Sequence, residues 1–302
     1  MKNLIDIKNE KAIELRAVAL AKKWQSSEIF FPNNTSKAPA FYGYIEISVE
    51  KCPIFLMLSN NDDYVAKAYF WNGPNSYEPM SLKVWLALAK KSAAIFDVGA
   101  YTGLYGLAAA IQNRKAKIFS FEPIDIIYSR LLINKTVNNL GNLSAFNIAL
   151  SDADGSAEIN IYAGDTVLST GSSLMENSSD RPVFVKKKIN TITFDSFCKS
   201  MRMPRVDLIK IDAEGAEHLI TKGAENTIRV FKPDIISEFL FRSKVEYFER
   251  FFRNLGYFFY RIDERKLEIR KVEEIQRSDN MNTLNTLLSQ KNEQELYKLL
   301  NI

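Results

Sequence analysis

Residues 95–103 read IFDVGAYTG. An apolar run of strand length ends in an acid, Asp97, and Gly99 and Gly103 frame a tight turn into the helical pattern GLYGLAAAIQN. Glycines in such a turn let a ligand approach the backbone, and the start of the following helix offers N–H groups and a positive dipole. A dinucleotide turn would read G-x-G-x-x-G so that pyrophosphate sits on the helix start; this one reads G-x-x-x-G with a carboxylate just ahead. That carboxylate argues against pyrophosphate and for a ligand with a cationic group. A G-x-x-x-x-G-K-[ST] phosphate loop does not occur either. The next apolar run, FSFEP at 119–123, again ends in an acid. Glu122 stands at the distance beyond the glycines where nucleotide-binding α/β units place an acid on the ribose hydroxyls, and it points to an adenosine-like ligand.

Outward from this core the same grammar repeats. Apolar strand, polar turn and helix alternate through AKIFSFE, IIYSRLLINKTVNN and LSAFNIAL, then VDLIKID, GAEHLITKGAENTI, DIISEFL and KVEYFERFFRNLG. Alternation of this kind predicts βαβ units and a doubly wound, mostly parallel α/β sheet. YFFYRID and KLEIRKV predict an antiparallel hairpin at 257–272, and MNTLNTLLSQKNEQELYKLLN a terminal helix. Ahead of the core, residues 5–24 have helical spacing, FYGYIEISV and CPIFLML read as two strands and a turn, and 79–90 as a helix. Three units follow: an N-terminal helix and β-hairpin extension at 1–78, the α/β domain at 79–274, and a C-terminal helical tail at 275–302. Between Ser151 and Lys188, AEINIYA and PVFVKKK read as strands around a Gly/Ser/Asn-rich loop.

Composition narrows the function classes. The chain has 302 residues, 46% hydrophobic and 25% charged, which excludes a disordered chain or a small disulfide scaffold. Forty Lys and Arg against 36 Asp and Glu leave +4, too little for a nucleic-acid footprint. Cys52 and Cys198 stand far apart, which fits a reducing compartment and no zinc site. The first residues intersperse charge at helical spacing, unlike a signal peptide, and no window approaches the ~20 apolar residues of a membrane span. A soluble, cytoplasmic protein is expected.

With these blocks in view, the chain resembles the FkbM family of S-adenosylmethionine-dependent methyltransferases from about residue 64 to 263. The matching blocks are DVGAYTG at 97–103, FEP at 121–123, NIALSD at 147–152, TFDSF at 193–197, VDLIKIDAEGAE at 206–217, KGA at 222–224 and KPDIISE at 232–238. The resemblance implies a class I methyltransferase (Rossmann-like) sheet with S-adenosylmethionine across the carboxyl ends of its first strands. It implies Asp97, Gly99, Ala100 and Gly103 around the methionine portion, Glu122 on the ribose, and Asn147, Ala149 and Leu150 toward the adenine. Two positions depart from the family pattern: Tyr101, where Asn is common, and Gly106, where Thr is common.

The run LIKIDAEG at 208–215 ends another strand, and alternation puts Lys210 and Asp212 on one side. Methyl transfer from a sulfonium is an in-line displacement, so alignment, exclusion of water and a base for a protonated acceptor suffice. Asp212 or Glu214 would accept a hydroxyl proton and Lys210 would tune them; the alternative is that Glu214 and Glu217 occupy a first helical turn and Lys210 pairs with them. Asp212, Glu214 and His218 make a poor metal set without a further nitrogen or sulfur ligand, so no metal is expected and His218 reads as a surface or partly packed residue. Glu238, at the next strand end, is an acceptor-side candidate; Tyr77 with Glu78 resembles a pair the family carries ahead of its glycine turn, which implies reach to the methionine end, the alternative being a loop tyrosine and a helix-start glutamate. Ser172 and Ser173, in the polar loop, suit hydrogen bonds to a polyhydroxylated acceptor, or belong to a solvated hairpin. By resemblance the activity is methyl transfer to a hydroxyl of a sugar or glycoconjugate. N-methylation of a peptide, nucleoside or small metabolite, and a non-catalytic cofactor-binding module, are the alternatives. The partner is thus a small-molecule or glycan acceptor, and the sequence does not speak to oligomeric state.

Overall fold

The computed structural model describes residues 3–26, 39–162, 168, 183–240, 243–277 and 282–301. In chain order, α1 (Leu4–Ser26), the hairpin β1 (Tyr42–Ile47) and β2 (Phe55–Asn60), α2 (Tyr64–Asn72) and α3 (Pro79–Ala89) precede the sheet. The first half of the sheet domain is β3 (Ala94–Val98), α4 (Leu104–Gln112), β4 (Lys117–Phe121), α5 (Asp125–Val137) and β5 (Leu143–Phe146). Three strands, β6 (Ala149–Ser151), β7 (Gly155–Tyr162) and β8 (Val183–Thr193), then form a small sheet of their own. The second half is α6 (Phe194–Ser200), β9 (Leu208–Ile211), α7 (Glu217–Lys222), α8 (Glu225–Phe231), β10 (Asp234–Glu238), α9 (Val245–Asn254), β11 (Phe258–Asp263), β12 (Glu268–Val272), β13 (Asn285–Ser289) and α10 (Glu293–Leu300).

The large sheet has eight strands in the order β12-β11-β13-β10-β9-β3-β4-β5. Strands β5, β4, β3, β9 and β10 are mutually parallel, β13 is antiparallel to both its neighbours, and β11 with β12 is the expected edge hairpin. The chain leaves β3 toward β4 and β5, then returns on the other side of β3 as β9. That reversal opens a crevice at the carboxyl ends of β3 and β9, where open α/β sheets bind their ligands. Alternate residues of the strands feed two cores. Ile95, Leu208, Ile236 and Leu287 pack under α3 and α4, whereas Phe96, Ile209, Ile235 and Leu288 pack under α6, α8 and α9.

Three sequence expectations change. LSAFNIAL divides into β5 and β6, which lie in different sheets, because the chain bends at Asn147. GAEHLITKGAENTI is two short helices, α7 and α8, separated at Gly223. The expected helix at the C-terminus is confined to 293–300; residues 285–289 are a strand inside the main sheet, between β10 and β11. Leu284, Leu287 and Leu288 have helical spacing, but all of β13 is buried, and a strand covered on both faces loses the period of two that would have revealed it.

The N-terminal hairpin is fastened by polar side chains of α5. Asn134 and Asn138 sit one turn apart; their amide oxygens accept from the backbone N–H of Leu58 and Leu56, both at 2.8 Å. Arg130, one turn earlier, donates to the Leu58 carbonyl and grips Asp62 bidentately at 2.9 Å. Helix α3 begins without a cap of its own: Glu264, in the turn after β11, accepts from Met80 N–H at 2.8 Å and from Ser81. Among the described residues, no helix is long and apolar enough to cross a membrane.

Candidate active site

Register explains which side chains meet. Val98 pairs with Phe121 on β4 and with Ile211 on β9, Ile211 pairs with Ser237 on β10, and Glu238 pairs with Asn285 on β13. One step further, Glu122, Gly99, Asp212, Glu238 and Asn285 fall in a single row across the strand ends. A cavity of about 350 Å³ opens over this row, a volume in the range of small-molecule sites.

At the β4 end, both Glu122 oxygens accept from the backbone: Oε2 from Tyr101 N–H at 3.1 Å and Oε1 from Ile124 N–H at 2.9 Å. A carboxylate has about four acceptor positions, so half of its capacity is left for a ligand. Burial pushes its pKa up to about 8, against the pull of those two N–H donors. Asp97 is buried beneath the turn and accepts from Gly106 N–H at 2.8 Å, holding the first turn of α4 against β3. Burial lifts its carboxyl to about 7, while the Gly106 donor and Lys210 pull it down.

The glycines serve the chain before any ligand. At Gly99 (φ +77°) a Cβ would stand 1.8 Å from the backbone oxygen of Asp212, so the turn and the β9 end could not close together. At Gly106 a Cβ would meet Ser120 Oγ at 2.4 Å and Asp97 Oδ2 at 2.9 Å. In this chain the Ser120 hydroxyl fills the space that a larger residue at 106 would need. Gly103 turns the backbone into α4 and does not line the cavity.

At the β9 end, Lys210 is 1% exposed and donates to Asp212 Oδ2 at 3.0 Å and to Asn285 Oδ1 at 3.2 Å, with its ammonium 5.1 Å from the centre of the Tyr105 ring. Burial alone would depress its pKa, but Asp212, Glu78 and Glu238 outweigh it and hold the ammonium charged. Glu78 accepts from the Tyr105 hydroxyl. The carboxyls of Asp212, Glu214 and Glu238 bring an oxygen each within 4.8 Å of one another. Glu238 is pushed well up by burial and by Asp212 and Glu214. Glu217 shapes the loop that carries Glu214: its Oε1 accepts from Gly215 N–H at 2.9 Å and from Ala213 N–H at 3.3 Å.

Residues 97–259 match the family profile of the Methyltransferase FkbM domain. The chain belongs to this family. The FkbM domain is an S-adenosylmethionine-dependent methyltransferase domain. The hexuronic acid methyltransferase AglP of Haloferax volcanii is 24% identical over 148 residues, which are 49% of this chain and 56% of that protein; the match thus spans little more than half of the relative's length. Among solved structures, the methyltransferase FkbM from Methylobacillus flagellatus has 14% identity and a TM-score of 0.41, covering 65% of this chain and 43% of that one. An S-adenosylmethionine-dependent methyltransferase from Agrobacterium tumefaciens has 10% identity and a TM-score of 0.45, covering 90% and 80%.

Within the FkbM domain, Asp97, Gly99, Ala100, Tyr101, Glu122, Ala149, Leu150, Lys210, Asp212, Glu214 and Glu238 all line the cavity. Asn147 does not: it is exposed and its amide donates to the Glu122 carbonyl at 3.0 Å, and the next residue, Ile148, takes the place on the wall. Ser172 and Ser173 lie outside the described residues. His218 is buried on α7 rather than at the surface, its Nδ1 unpartnered among the described residues; burial and Lys244 depress its pKa. Tyr101, the departure from the family's Asn, sends its hydroxyl to the Leu168 carbonyl at 3.0 Å, closing one side of the cavity with a phenol. Sequence reading missed Tyr105 and Asn285. Tyr105 lies just after the glycine turn, on α4, and Asn285 in the strand read as helix.

Proposed function

We propose that this protein transfers the methyl group of S-adenosylmethionine to a hydroxyl of a sugar or glycoconjugate. The observation that carries the reading is the row of strand-end residues itself. Its β3–β4 end offers a turn and an acid suited to a nucleoside with a cationic side chain; its β9–β10 end offers carboxylates and one lysine suited to a hydroxylated acceptor. Asp97, Gly99, Ala100 and Tyr101 would hold the methionine portion, Glu122 the ribose, and Ile148, Ala149 and Leu150 the adenine.

The residues fit the cofactor: Glu122 keeps acceptor capacity for hydroxyls, and Asp97 sets a carboxyl in the cavity wall beneath the turn, where a bound cationic group would favour its ionised form. When bound, the cofactor supplies an electrophilic methyl on a sulfonium. The chain has to align the acceptor and take its proton. Asp212, its carboxylate oriented by Lys210, is the residue placed for that proton, with Glu214 beside it. Glu238, with Ser172 and Ser173, would hold further hydroxyls. The similarity to a hexuronic acid methyltransferase supports a sugar.

The test is transfer of labelled methyl from S-adenosylmethionine to a panel of neutral sugars, uronic acids, amines and nucleosides. Labelled methyl ethers of neutral sugars are expected. Label confined to amines would replace this reading with N-methylation, and no transfer despite tight cofactor binding would favour a non-catalytic module.

A further inference from the structure

The acceptor end of the row contains an arrangement that proton transfer alone does not need. Asp212, Glu214 and Glu238 converge from two strand ends, with one oxygen of each inside 4.8 Å of the others. Two oxygens on opposite sides of a hard divalent cation bound at roughly 2.1 to 2.5 Å stand about 4 to 5 Å apart, so this spacing admits such an ion. Glu238 is 7% exposed, lines the cavity, and its Oε2 has no hydrogen-bond partner among the described residues. An unpartnered carboxylate oxygen at that depth is costly unless something outside the chain satisfies it.

The surroundings are built to keep these oxygens together. Asp212 and Glu238 are cross-strand neighbours by register, one step beyond the pair Ile211 and Ser237. Glu214 sits at φ +51° in a loop whose N–H groups are fixed by Glu217. Of the two Asp212 carboxylate oxygens, Lys210 donates to Oδ2, and Asp212 lines the cavity. Ionising all three carboxyls together would need positive charge beyond the one lysine. We propose that Asp212, Glu214 and Glu238 bind a single divalent cation of the magnesium class, with oxygen atoms of the acceptor as further ligands. An all-oxygen donor set selects magnesium, manganese or calcium over zinc or copper. The sequence hid the site because its third ligand comes from the neighbouring strand, not from His218 on the same segment.

Binding of the ion is independent of the methyl-transfer reading, whereas the acceptor's part in the ion's coordination rests on it. The experiment is titration of the chelator-treated full chain with Mn²⁺, followed by the electron paramagnetic resonance signal of the free ion. S-adenosylhomocysteine binding is measured by calorimetry on the same preparation. One Mn²⁺ per chain is expected, competed by Mg²⁺. Affinity should fall at least tenfold in Glu238→Gln and in Glu214→Gln, the latter on a partly exposed loop that tolerates the change, while S-adenosylhomocysteine affinity stays within threefold. Absence of Mn²⁺ binding at millimolar ion, or binding that neither variant alters, overturns the site. If S-adenosylhomocysteine still binds in that case, the cation alone is rejected; if it does not bind either, the cofactor reading falls with it.

Discussion

Each acid of the site has a distinct surrounding, and single substitutions should therefore separate their roles. Glu122→Gln keeps one acceptor oxygen for the turn but replaces the second with an amide donor, so on the proposed ribose role S-adenosylhomocysteine should bind ~10- to 100-fold more weakly by calorimetry while the far-ultraviolet dichroism is unchanged. Asp212→Asn should leave that affinity nearly intact and lower turnover by ~10²-fold or more, and wild-type turnover would remove Asp212 as the proton acceptor. The buried acids also set a pH dependence. Asp97 and Glu217 are raised to about 7, Glu122 to about 8 and Glu264 to about 7, in each case first by burial. Unfolded carboxyls ionise near 4, so between about 4.5 and 8 the folded chain holds more protons than the unfolded one and stability falls as pH rises. His218, depressed by burial, works in the opposite sense below about 6.5 but is a single group. The melting temperature of the cofactor-free protein should drop from pH 5 to pH 8, and Glu122→Gln should flatten the slope. At this scale much was legible in the sequence, because Asp97, Glu122, Asp212 and Glu238 each close an apolar run and a strand end is a local pattern. Asn147 stands off the cavity wall because one bend in the chain turns its neighbour inward instead, and Asn285 escaped because its partners are distant in sequence.

Elements were legible where their periodicity was undisturbed. Strands β3, β4, β9 and β10 are apolar runs of strand length bounded by polar turns, and α3 and α4 have a helical apolar pattern. Junctions were not, since nothing in LSAFNIAL announces that its two halves pair with different sheets. The least readable feature is the attachment of the N-terminal hairpin, which depends on polar residues of a helix that sequence periodicity assigns to solvent. Arg130, Asn134 and Asn138 act on β2 much as a neighbouring strand would, supplying donors and acceptors to an edge that would otherwise lack them. Asn134 is fully buried and also donates to the Thr102 carbonyl in the turn between Gly99 and Gly103 at 2.9 Å. Asn134→Leu preserves volume but strands the Leu58 N–H and the Thr102 carbonyl. It should cost about 2 to 6 kcal/mol in urea unfolding, at about 1 to 3 kcal/mol for each buried group left unpaired. Because one of those groups belongs to the turn, S-adenosylhomocysteine affinity should fall as well, which a hairpin merely resting on the surface would not produce.

For the molecule as a whole, the decisive residues are those of β13, which the sequence places far from the site and the fold places in the middle of the sheet. The strand pairs antiparallel with β10 on one side and β11 on the other, and brings Asn285 to Lys210 at 3.2 Å. At its opposite end, Ser289 and Lys291 both contact Asp234, at 2.5 and 2.6 Å, fixing the register that sets Asn285 beside Glu238. Leu287 and Leu288 are fully buried on opposite faces, each in a different core. A chain ending before residue 282 would therefore lose more than a terminal helix. Strands β10 and β11 would face each other across a missing strand with unpaired backbone groups, and both cores would open. Such a truncation should fail to give a cooperative unfolding transition. The milder Leu287→Ala should fold but lose about 2 to 5 kcal/mol, the cost of a cavity in a core that cannot collapse around it. Asn285→Ala should instead leave stability within about 1 to 3 kcal/mol of the parent, the cost of one buried polar group losing its partner. Its effect should fall on turnover, because Lys210 would lose one of the two contacts that aim it at Asp212. A truncated chain that unfolds cooperatively with the parent's midpoint would show that the sheet is complete without β13 and that the acceptor end is organised by β9 and β10 alone.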